Sequence, residues 1–160
     1  MERQDPRIPL STCLLVYPFF VSRKSYTMTI KRLDHIAIVV QNLEAALGFY
    51  RDALGMALTH IETIPEQDVK IGFLPCGDSE LELLEPINPD SGIGRYLAKR
   101  GEGLHHICLE VDDIEQMLAD LKSKGAALID ETPRRGAHGR VAFLHPKAAH
   151  GVLIELVERR

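Results

Sequence analysis

The sequence predicts an α+β fold in which two tandem βαβββ modules form one curved mixed sheet around a cavity. The main observation is an internal repeat, because LDHIAIVVQNLEAALGFYRDALG from Leu33 matches LHHICLEVDDIEQMLADLKSKG from Leu104. Self-similarity over such a length indicates two copies of one structural unit. Two shorter segments repeat in the same order: KIGFL from Lys70 matches RVAFL from Arg140, and LELLE from Leu81 matches IELVE from Ile154.

The first strand of each module is predicted by alternation. From Leu33 to Val40 the side chains alternate as in a half-buried strand, which places His35 on the face opposite Ile36 and Ile38. The matching segment from Leu104 has the same alternation. Each module therefore begins with a strand of which one face is apolar.

A helix is predicted after each first strand. In module one, Asn42 is expected to cap a helix whose apolar stripe reaches Leu54 and which ends at Gly55. In module two, Asp112 and Glu115 form a capping-box pattern before another apolar stripe, which ends at Gly125. The remaining apolar segments of each module read as three strands, which completes the βαβββ order.

The domain boundaries follow from the repeat. Module one covers about residues 31–87 and module two about residues 104–158. Residues 88–103 between them form a linker bounded by Pro and Gly, with a short helix expected from about Ser91 to Lys99. Together they make one domain over residues 30–160.

The composition excludes several function classes. A chain of 160 residues suffices for one domain with a sizeable core. Its 19 Lys and Arg against 23 Asp and Glu give a net charge of −4, which provides no reason to expect nucleic acid or a membrane as a partner. The three cysteines stand in unlike contexts, which favours a reducing cytoplasmic location over a disulfide framework.

Residues 1–29 differ from the rest and are interpreted as an N-terminal extension. An apolar run from Leu10 to Val21 lies between charged ends, but Pro9 and Pro18 interrupt it. Three alternatives are open: a disordered tail or misassigned start with Met28 as the initiator, an organelle-targeting peptide, or a secretory signal.

Four side chains form the candidate site. His35 and His106 occupy equivalent positions in the repeat, and Glu82 and Glu155 occupy equivalent positions in LELLE and IELVE. Each lies on the strand face opposite an apolar row, so a pseudo-twofold axis would bring all four into one cavity. Two imidazoles and two carboxylates are ligands for a divalent metal such as Co²⁺, Mn²⁺, Ni²⁺, Zn²⁺ or Fe²⁺.

The other histidines have no partner in the repeat. By alternation His105 is expected to point away from His106, as a packing residue or a support for the site. The remaining four are expected at the surface or in loops: His60, His138, His145 and His150.

The repeated pattern, with one His early and one Glu late in each half, resembles the vicinal oxygen chelate superfamily of glyoxalases, bleomycin resistance proteins and dioxygenases. Within it, the chain is most similar to the methylmalonyl-CoA epimerase family, from about Lys31 to Glu158. Three segments carry this resemblance: LDHIAIVV (Leu33 to Val40), LLEPINPDSGIGRYLAKRGEGLHHICLEVDDI (Leu83 to Ile114) and HPKAAHGVLIELVE (His145 to Glu158).

The resemblance implies a vicinal oxygen chelate fold and one divalent metal held by His35, Glu82, His106 and Glu155. Many relatives have Gln at the second of these positions. It also implies that the protein interconverts the two C2 epimers of methylmalonyl-CoA through a metal-stabilised enolate, with Glu155 as one catalytic base, and that it forms a homodimer.

The second catalytic base is left open by the sequence. In several characterised relatives it is a glutamate that aligns with Ile71, which cannot transfer a proton. Lys70 is adjacent but lies on the other strand face. Glu82 is our candidate, and the alternative is that Glu82 is a ligand only, with water or another group as the base.

The phosphates of coenzyme A require cations. PRRGAHGR, from Pro133 to Arg140, and Lys147 are the local basic elements that could supply them.

Three other functions are open to the same superfamily. A lactoylglutathione lyase would share all four ligands, so only the similarity of the second-half segments favours the epimerase. An extradiol dioxygenase would need two His and one carboxylate as metal ligands, so the additional carboxylate of Glu82 counts against this function. A non-catalytic protein that binds a small molecule would usually lack the ligands.

Overall fold

The computed structural model describes residues 29–136 and 138–159. Within this part of the chain, eight strands form one mixed sheet in the order β2-β3-β4-β1-β5-β8-β7-β6. The strands are β1 Ile30–Val39, β2 His60–Ile64, β3 Val69–Cys76, β4 Ser79–Pro86, β5 Gly103–Val111, β6 Arg134–Arg135, β7 Gly139–Leu144 and β8 Leu153–Arg159. The α-helices are α1 Leu43–Leu47, α2 Gly92–Arg100 and α3 Ile114–Ser123, with a π-helix at Gly48–Ala53 and 3₁₀ helices at Pro65–Gln67 and Pro146–Ala149.

The predicted duplication is confirmed by the strand pairing. β1 pairs parallel with β4, and β5 pairs parallel with β8, each across a helical connection. The two modules join through antiparallel β1 and β5 at the centre of the sheet. The sheet therefore has an approximate twofold relation between its halves, with β1 and β5 beside the axis. The α+β fold of two βαβββ modules is as predicted.

The core lies between the sheet and the helices. In module one Leu43 and Leu47 of α1 pack on Leu74 and Leu83, and all four side chains are fully buried. The corresponding cluster of module two consists of Val111, Ile114, Met117, Leu118, Ala142, Leu144, Ile154 and Leu156. The apolar rows of the strands face the helices, as predicted, which leaves the opposite face of the sheet for the cavity.

Two half-buried carboxylates at equivalent positions fix the starts of the helices. Glu85 Oε2 accepts a hydrogen bond from the Leu43 amide at 2.7 Å, and Glu158 Oε2 accepts one from the Ile114 amide at 2.9 Å. An acceptor at this point satisfies an amide that has no partner within the helix. The next-to-last residues of β4 and β8 therefore attach each helix to the sheet.

The predicted cap of α3 is wrong by one residue. Asp113, with extended backbone angles, accepts a hydrogen bond from the Gln116 amide at 2.9 Å. Asp112 instead pairs with Lys31 at 3.1 Å. The prediction for Asn42 is confirmed, since its side chain accepts from the Ala45 amide at 2.8 Å.

The first helix also differs from its predicted pattern. After Leu47 the chain continues as a π-helix, and the Leu54 amide donates to the Phe49 carbonyl at 2.8 Å. Each such turn holds one more residue than an α-turn, so later side chains shift around the axis. Leu54 consequently leaves the apolar stripe and is 58% exposed.

The linker helix α2 begins after Ser91, which caps it by accepting a hydrogen bond from the Gly94 amide at 2.9 Å. The bounds of the helix are as predicted within one residue.

Among the described residues, no helix is both long and apolar enough to cross a membrane. The predictions for the N-terminal extension concern residues 1–29, of which residues 1–28 lie outside the described part of the chain.

Candidate metal centre

Three of the four predicted ligands converge at the centre of the sheet. His35 on β1, His106 on β5 and Glu155 on β8 are all at least nine-tenths buried. The two Nε2 atoms lie 3.1 Å apart, and Glu155 Oε2 lies 2.8 Å from Nε2 of His106 and 3.4 Å from Nε2 of His35. The three side chains thus present their donor atoms to one point.

These separations fit a shared cation. Metal–ligand bonds of ~2.1 Å at angles of about 90–109° place neighbouring donor atoms roughly 3.0–3.4 Å apart. The three distances are close to this range, and two imidazoles with a carboxylate form a donor set that suits first-row divalent metals. The donor set and its geometry therefore fit a divalent metal.

Glu82 lies beside this cluster and not within it. Its carboxylate is buried, and its Oε1 is 3.6 Å from Nδ1 of His35. Burial raises the pKa of Glu82 to about 7, and the negative charge of Glu155 adds to this effect. Glu82 lines the same cavity, but its carboxylate oxygens lie outside the cluster of donor atoms that the other three ligands form.

Glu155 has the opposite electrostatic character. Burial favours its neutral form, but hydrogen bonds with His106 and His35 outweigh this and lower its pKa to about 2. Burial likewise opposes a charge on His35, while hydrogen bonds with Asp34, Cys108 and Glu155 raise its pKa well above the usual range. Because a metal binds the neutral imidazole, binding of a divalent metal at this site would release a proton wherever His35 is protonated.

Two of the three register shifts between β1 and β5 determine which side chains enter the site. Leu33 pairs with Leu109 and His35 with Cys108, so Asp34 is an extra residue on β1. Ala37 pairs with His106 and Ile38 with Leu104, so His105 is an extra residue on β5. Such bulges turn a side chain away from its regular face.

The prediction that His105 points to the other face is therefore wrong. Its ring lines the cavity, and its Nδ1 lies 2.8 Å from Nδ1 of His106. Burial lowers the pKa of His105 to about 4, and the neighbouring His106 adds to this effect. Its predicted role as a support for the site agrees with this contact.

Asp34 and Arg159 are site residues that the sequence analysis missed. Asp34 is 2% exposed, and its Oδ1 lies 3.0 Å from Nδ1 of His35. Arg159 donates to both oxygens of Asp34, at 2.6 and 2.7 Å. These bonds counteract burial and lower the pKa of Asp34 far below its usual range. One signal was available, because Asp34 precedes His35 as His105 precedes His106.

The cavity has a volume of about 500 Å³, which is within the usual range for small-molecule sites. Its module-one wall has an apolar part that includes Ile64, Val69 and Ile71, with Ile93 of the linker helix. Ile71 is 6% exposed and contributes a hydrocarbon surface here. Phe73 and Phe143 pair with Glu82 and Glu155 on the neighbouring strands.

The module-two wall contains the basic groups. Arg134 and His138 line the cavity, and the guanidinium of Arg134 lies 5.3 Å from the ring centre of Phe143. Arg140 is occupied, because it donates to both oxygens of Glu158 at 2.9 Å. His138, predicted at the surface or in a loop, is exposed but contacts Phe73, with ring centroids 6.0 Å apart.

Comparison with known proteins agrees with this geometry. Residues 34–143 match the Glyoxalase/Bleomycin resistance protein/Dioxygenase superfamily. The mitochondrial methylmalonyl-CoA epimerase of Homo sapiens is 44% identical over 127 residues, which cover 78% of this chain and 72% of the relative. A solved methylmalonyl-CoA epimerase in complex with methylmalonyl-CoA and NH4+ is 43% identical, with a TM-score of 0.74 over 82% of this chain and 96% of the other.

A more distant relative gives the contrast. A lactoylglutathione lyase of Arabidopsis thaliana is 25% identical over 130 residues, which cover 81% of this chain and 44% of that protein. By fold, candidate ligands and similarity, the chain belongs to the Glyoxalase/Bleomycin resistance protein/Dioxygenase superfamily and, within it, to the methylmalonyl-CoA epimerase family.

Proposed function

We propose that this protein interconverts the two C2 epimers of methylmalonyl-CoA in a reaction that depends on a divalent metal. The observation that carries the proposal is the convergence of His35, His106 and Glu155 in a cavity of about 500 Å³. The family supplies the reaction, because relatives of this chain are methylmalonyl-CoA epimerases and one solved relative contains methylmalonyl-CoA. The site residues and their roles are our assignment.

The proposed metal ligands are His35, His106, Glu155 and Glu82. Co²⁺, Mn²⁺, Ni²⁺, Zn²⁺ and Fe²⁺ all suit this donor set. When bound, the metal supplies a Lewis acid that stabilises negative charge developing on the thioester oxygen. Glu82 lies outside the cluster of the other three donor atoms, with its Oε1 3.6 Å from Nδ1 of His35. Its carboxylate would turn towards Nε2 to join the set.

Proton transfer at C2 is assigned to the two glutamates. Inversion requires that a proton leave one face of C2 and that another return to the opposite face. Glu155 on β8 and Glu82 on β4 stand at equivalent positions of the two modules, on either side of the central pair β1 and β5. We assign Glu155 to one face of C2 and Glu82 to the other.

The apolar wall around Ile71 supports this assignment. Ile71 has no proton to exchange, and its neighbours in the wall, among them Val69 and Leu84, are also hydrocarbon. These side chains exclude water from one side of the cavity, which protects the carbanionic intermediate from unspecific protonation. Glu82 and Asp34 are buried carboxylates of module one that line this cavity, and Asp34 is held by Arg159 and Arg32.

Binding of the coenzyme A moiety is assigned to the module-two side of the opening. Arg134 and Arg135 are exposed on β6, and Lys147 is exposed on the last 3₁₀ helix. Arg140 is excluded from this role, because Glu158 and Glu115 hold its guanidinium. We also expect a homodimer, which light scattering after gel filtration would test.

The experiment is incubation of racemic methylmalonyl-CoA in D₂O, with the metal-loaded protein and with protein treated with a chelator. We expect rapid exchange of the C2 hydrogen with the loaded protein, little more than the buffer rate after chelation, and recovery when metal is returned. A parallel assay with the hemithioacetal of methylglyoxal and glutathione should show no turnover. Exchange that persists fully without metal, or turnover of the hemithioacetal alone, would contradict the proposal.

A further inference from the structure

We propose that Asp34 and His105 are positioning residues, which hold Nδ1 of His35 and of His106 so that both Nε2 atoms face the metal. Each is the extra residue of a bulge between β1 and β5, Asp34 on β1 and His105 on β5. The inference rests on the proposed metal-dependent function and adds to it the groups that orient the two imidazole ligands. It further assigns unequal donor strength to the two ligands.

The Asp34 side chain is fixed on every side. Its Oδ1 accepts from Nδ1 of His35 at 3.0 Å and from Arg159 at 2.7 Å, and its Oδ2 accepts from Arg159 at 2.6 Å and Arg32 at 2.9 Å. The Glu82 oxygen 3.6 Å from the same Nδ1 is too far for a hydrogen bond. Asp34 is therefore the carboxylate that accepts from Nδ1 of His35 and orients the ring.

The His105 ring is fixed by the linker helix. The ring of Tyr96 contacts it edge to face, with centroids 4.7 Å apart. The Tyr96 hydroxyl donates to the Leu104 carbonyl at 2.6 Å, next to the bulge. His105 is thereby held with its Nδ1 at 2.8 Å from Nδ1 of His106. Helix α2 is thus connected to the metal centre through the rings of Tyr96 and His105.

The position of the protons follows from these contacts. A metal on Nε2 leaves the single imidazole proton on Nδ1. His35 then donates to the Asp34 carboxylate, and His106 donates to Nδ1 of His105, which carries its own proton on Nε2. Without these acceptors either ring could rotate or adopt the other tautomer. The two bulges therefore select the ligand form of each imidazole.

The two supports differ in chemistry although their positions are equivalent. A carboxylate withdraws more of the Nδ1 proton than an imidazole does, so it makes the ligand ring a stronger donor. His35 is accordingly the stronger ligand and His106 the weaker one. This gives one firmly held and one more readily released imidazole around the same ion.

The test uses pairs of variants that keep or remove the acceptor. Metal-free His105→Leu, His105→Asn and Asp34→Asn proteins are titrated with Co²⁺, with visible absorbance as the signal. Loss of such a support weakens metal binding by about 10–100-fold, and we expect this for His105→Leu. His105→Asn should restore most of the affinity, because its amide oxygen can accept the same hydrogen bond. Asp34→Asn should weaken binding about 10-fold, because the acceptor remains but its charge is lost.

A second readout follows the hydrogen bond directly. In the Zn²⁺-loaded protein, the Nδ1 proton resonance of His106 should move upfield in His105→Leu. His60→Leu is the matched control, since His60 stacks on Phe73, with ring centroids 4.3 Å apart, and should leave both the resonance and the Co²⁺ affinity unchanged. Unchanged Co²⁺ affinity in His105→Leu would overturn this inference alone. A wild-type protein that binds neither Co²⁺ nor Zn²⁺ would overturn it together with the proposed metal site.

Discussion

The two modules place equivalent residues around the same cavity. In module one β4 brings Glu82 near His35, and in module two β8 brings Glu155 to His106. Behind them, Phe73 and Phe143 pair with these glutamates in the neighbouring strands. Glu85 and Glu158 hold the helix starts in the same way. These shared features are the ones that set the sheet and the ligands.

The differences between the modules lie at the opening of the cavity and around the ligands. Module one contributes the apolar wall with Ile64 and Ile71, and a five-residue strand β2, whereas module two contributes Arg134 and His138 beside a two-residue strand β6. Near the ligands, Asp34 corresponds to His105. The features that the two modules share therefore form the metal centre. In the proposed function, the features that differ account for substrate recognition and for the inequality of the two halves.

Glu155 and Glu82 also differ in pKa, although they occupy equivalent positions in the two modules. Glu155 accepts hydrogen bonds from both imidazoles, which outweigh burial and lower its pKa to about 2. Glu82 is desolvated without a comparable partner, so its pKa rises to about 7. Equivalent positions in the repeat thus give one strongly held carboxylate and one that is free to change its protonation or its orientation.

The largest effect on turnover is expected when the histidine ligand of either module is removed. His35→Ala and His106→Ala should each lose the metal and reduce turnover roughly 10³-fold, since the Lewis acid supplies several kcal/mol of transition-state stabilisation. Elemental analysis and the epimerase assay measure the two effects. The control is His150→Asn, because this exposed residue has φ +51°, which Asn tolerates. Full metal content and activity in both alanine variants would rule out the site.

A smaller effect is expected at the opening, where the modules differ. Arg134→Ala should raise the KM for methylmalonyl-CoA about 10-fold with kcat preserved, because a cation contact to a phosphate acts in ground state and transition state alike. Glu66→Ala changes an exposed residue that lines the opening on the module-one side, and KM should not rise. Equal effects of the two substitutions on KM would show that binding does not distinguish the modules.

The smallest effect concerns a shared structural feature. Glu158→Gln should cost about 1 kcal/mol of unfolding free energy, since it weakens the bond to the Ile114 amide and the pair with Arg140. Burial opposes ionisation of Glu158, but these two partners outweigh it and lower the pKa of the carboxyl. Its stabilisation is therefore present above pH ~4.5 and is lost as the pH falls through the folded-state pKa.

Urea unfolding of wild-type and variant protein at several pH values would measure this effect. The difference in unfolding free energy between the two should be largest near neutral pH and should shrink in acid. Glu115→Gln is the control, because its side chain also pairs with Arg140 but is mostly exposed. A difference that grows as the pH falls would contradict the predicted role of Glu158.

The sequence predicted the parts of the structure that depend on alternation and duplication. His35, His106 and Glu155 could be grouped because each lies opposite an apolar row in a repeated strand, and the structure brings these three together. Asn42 could be assigned as a cap, and the start of the linker helix could be placed near Ser91, because both depend on neighbouring residues.

Other features depend on contacts between distant segments. The bulges at Asp34 and His105 arise from the pairing of β1 with β5, and alternation within one strand cannot reveal them. The contact of Arg159 with Asp34 joins the two ends of the domain. The π-helix after Leu47 changes the side-chain periodicity, so a helical stripe alone could not predict the exposure of Leu54.

Hydrogen exchange from single epimers tests most directly whether Glu82 and Glu155 act on opposite faces of C2. Pure (R)- and (S)-methylmalonyl-CoA are each incubated briefly in D₂O with metal-loaded wild type, Glu82→Gln or Glu155→Gln, alongside a protein-free blank. Each variant should exchange the C2 hydrogen of one epimer only, the two variants should retain opposite epimers, and interconversion should slow by ~10²-fold or more. Metal-loaded Glu82→Gln that interconverts the epimers at the wild-type rate, or Glu155→Gln that exchanges both epimers rapidly, would contradict the account.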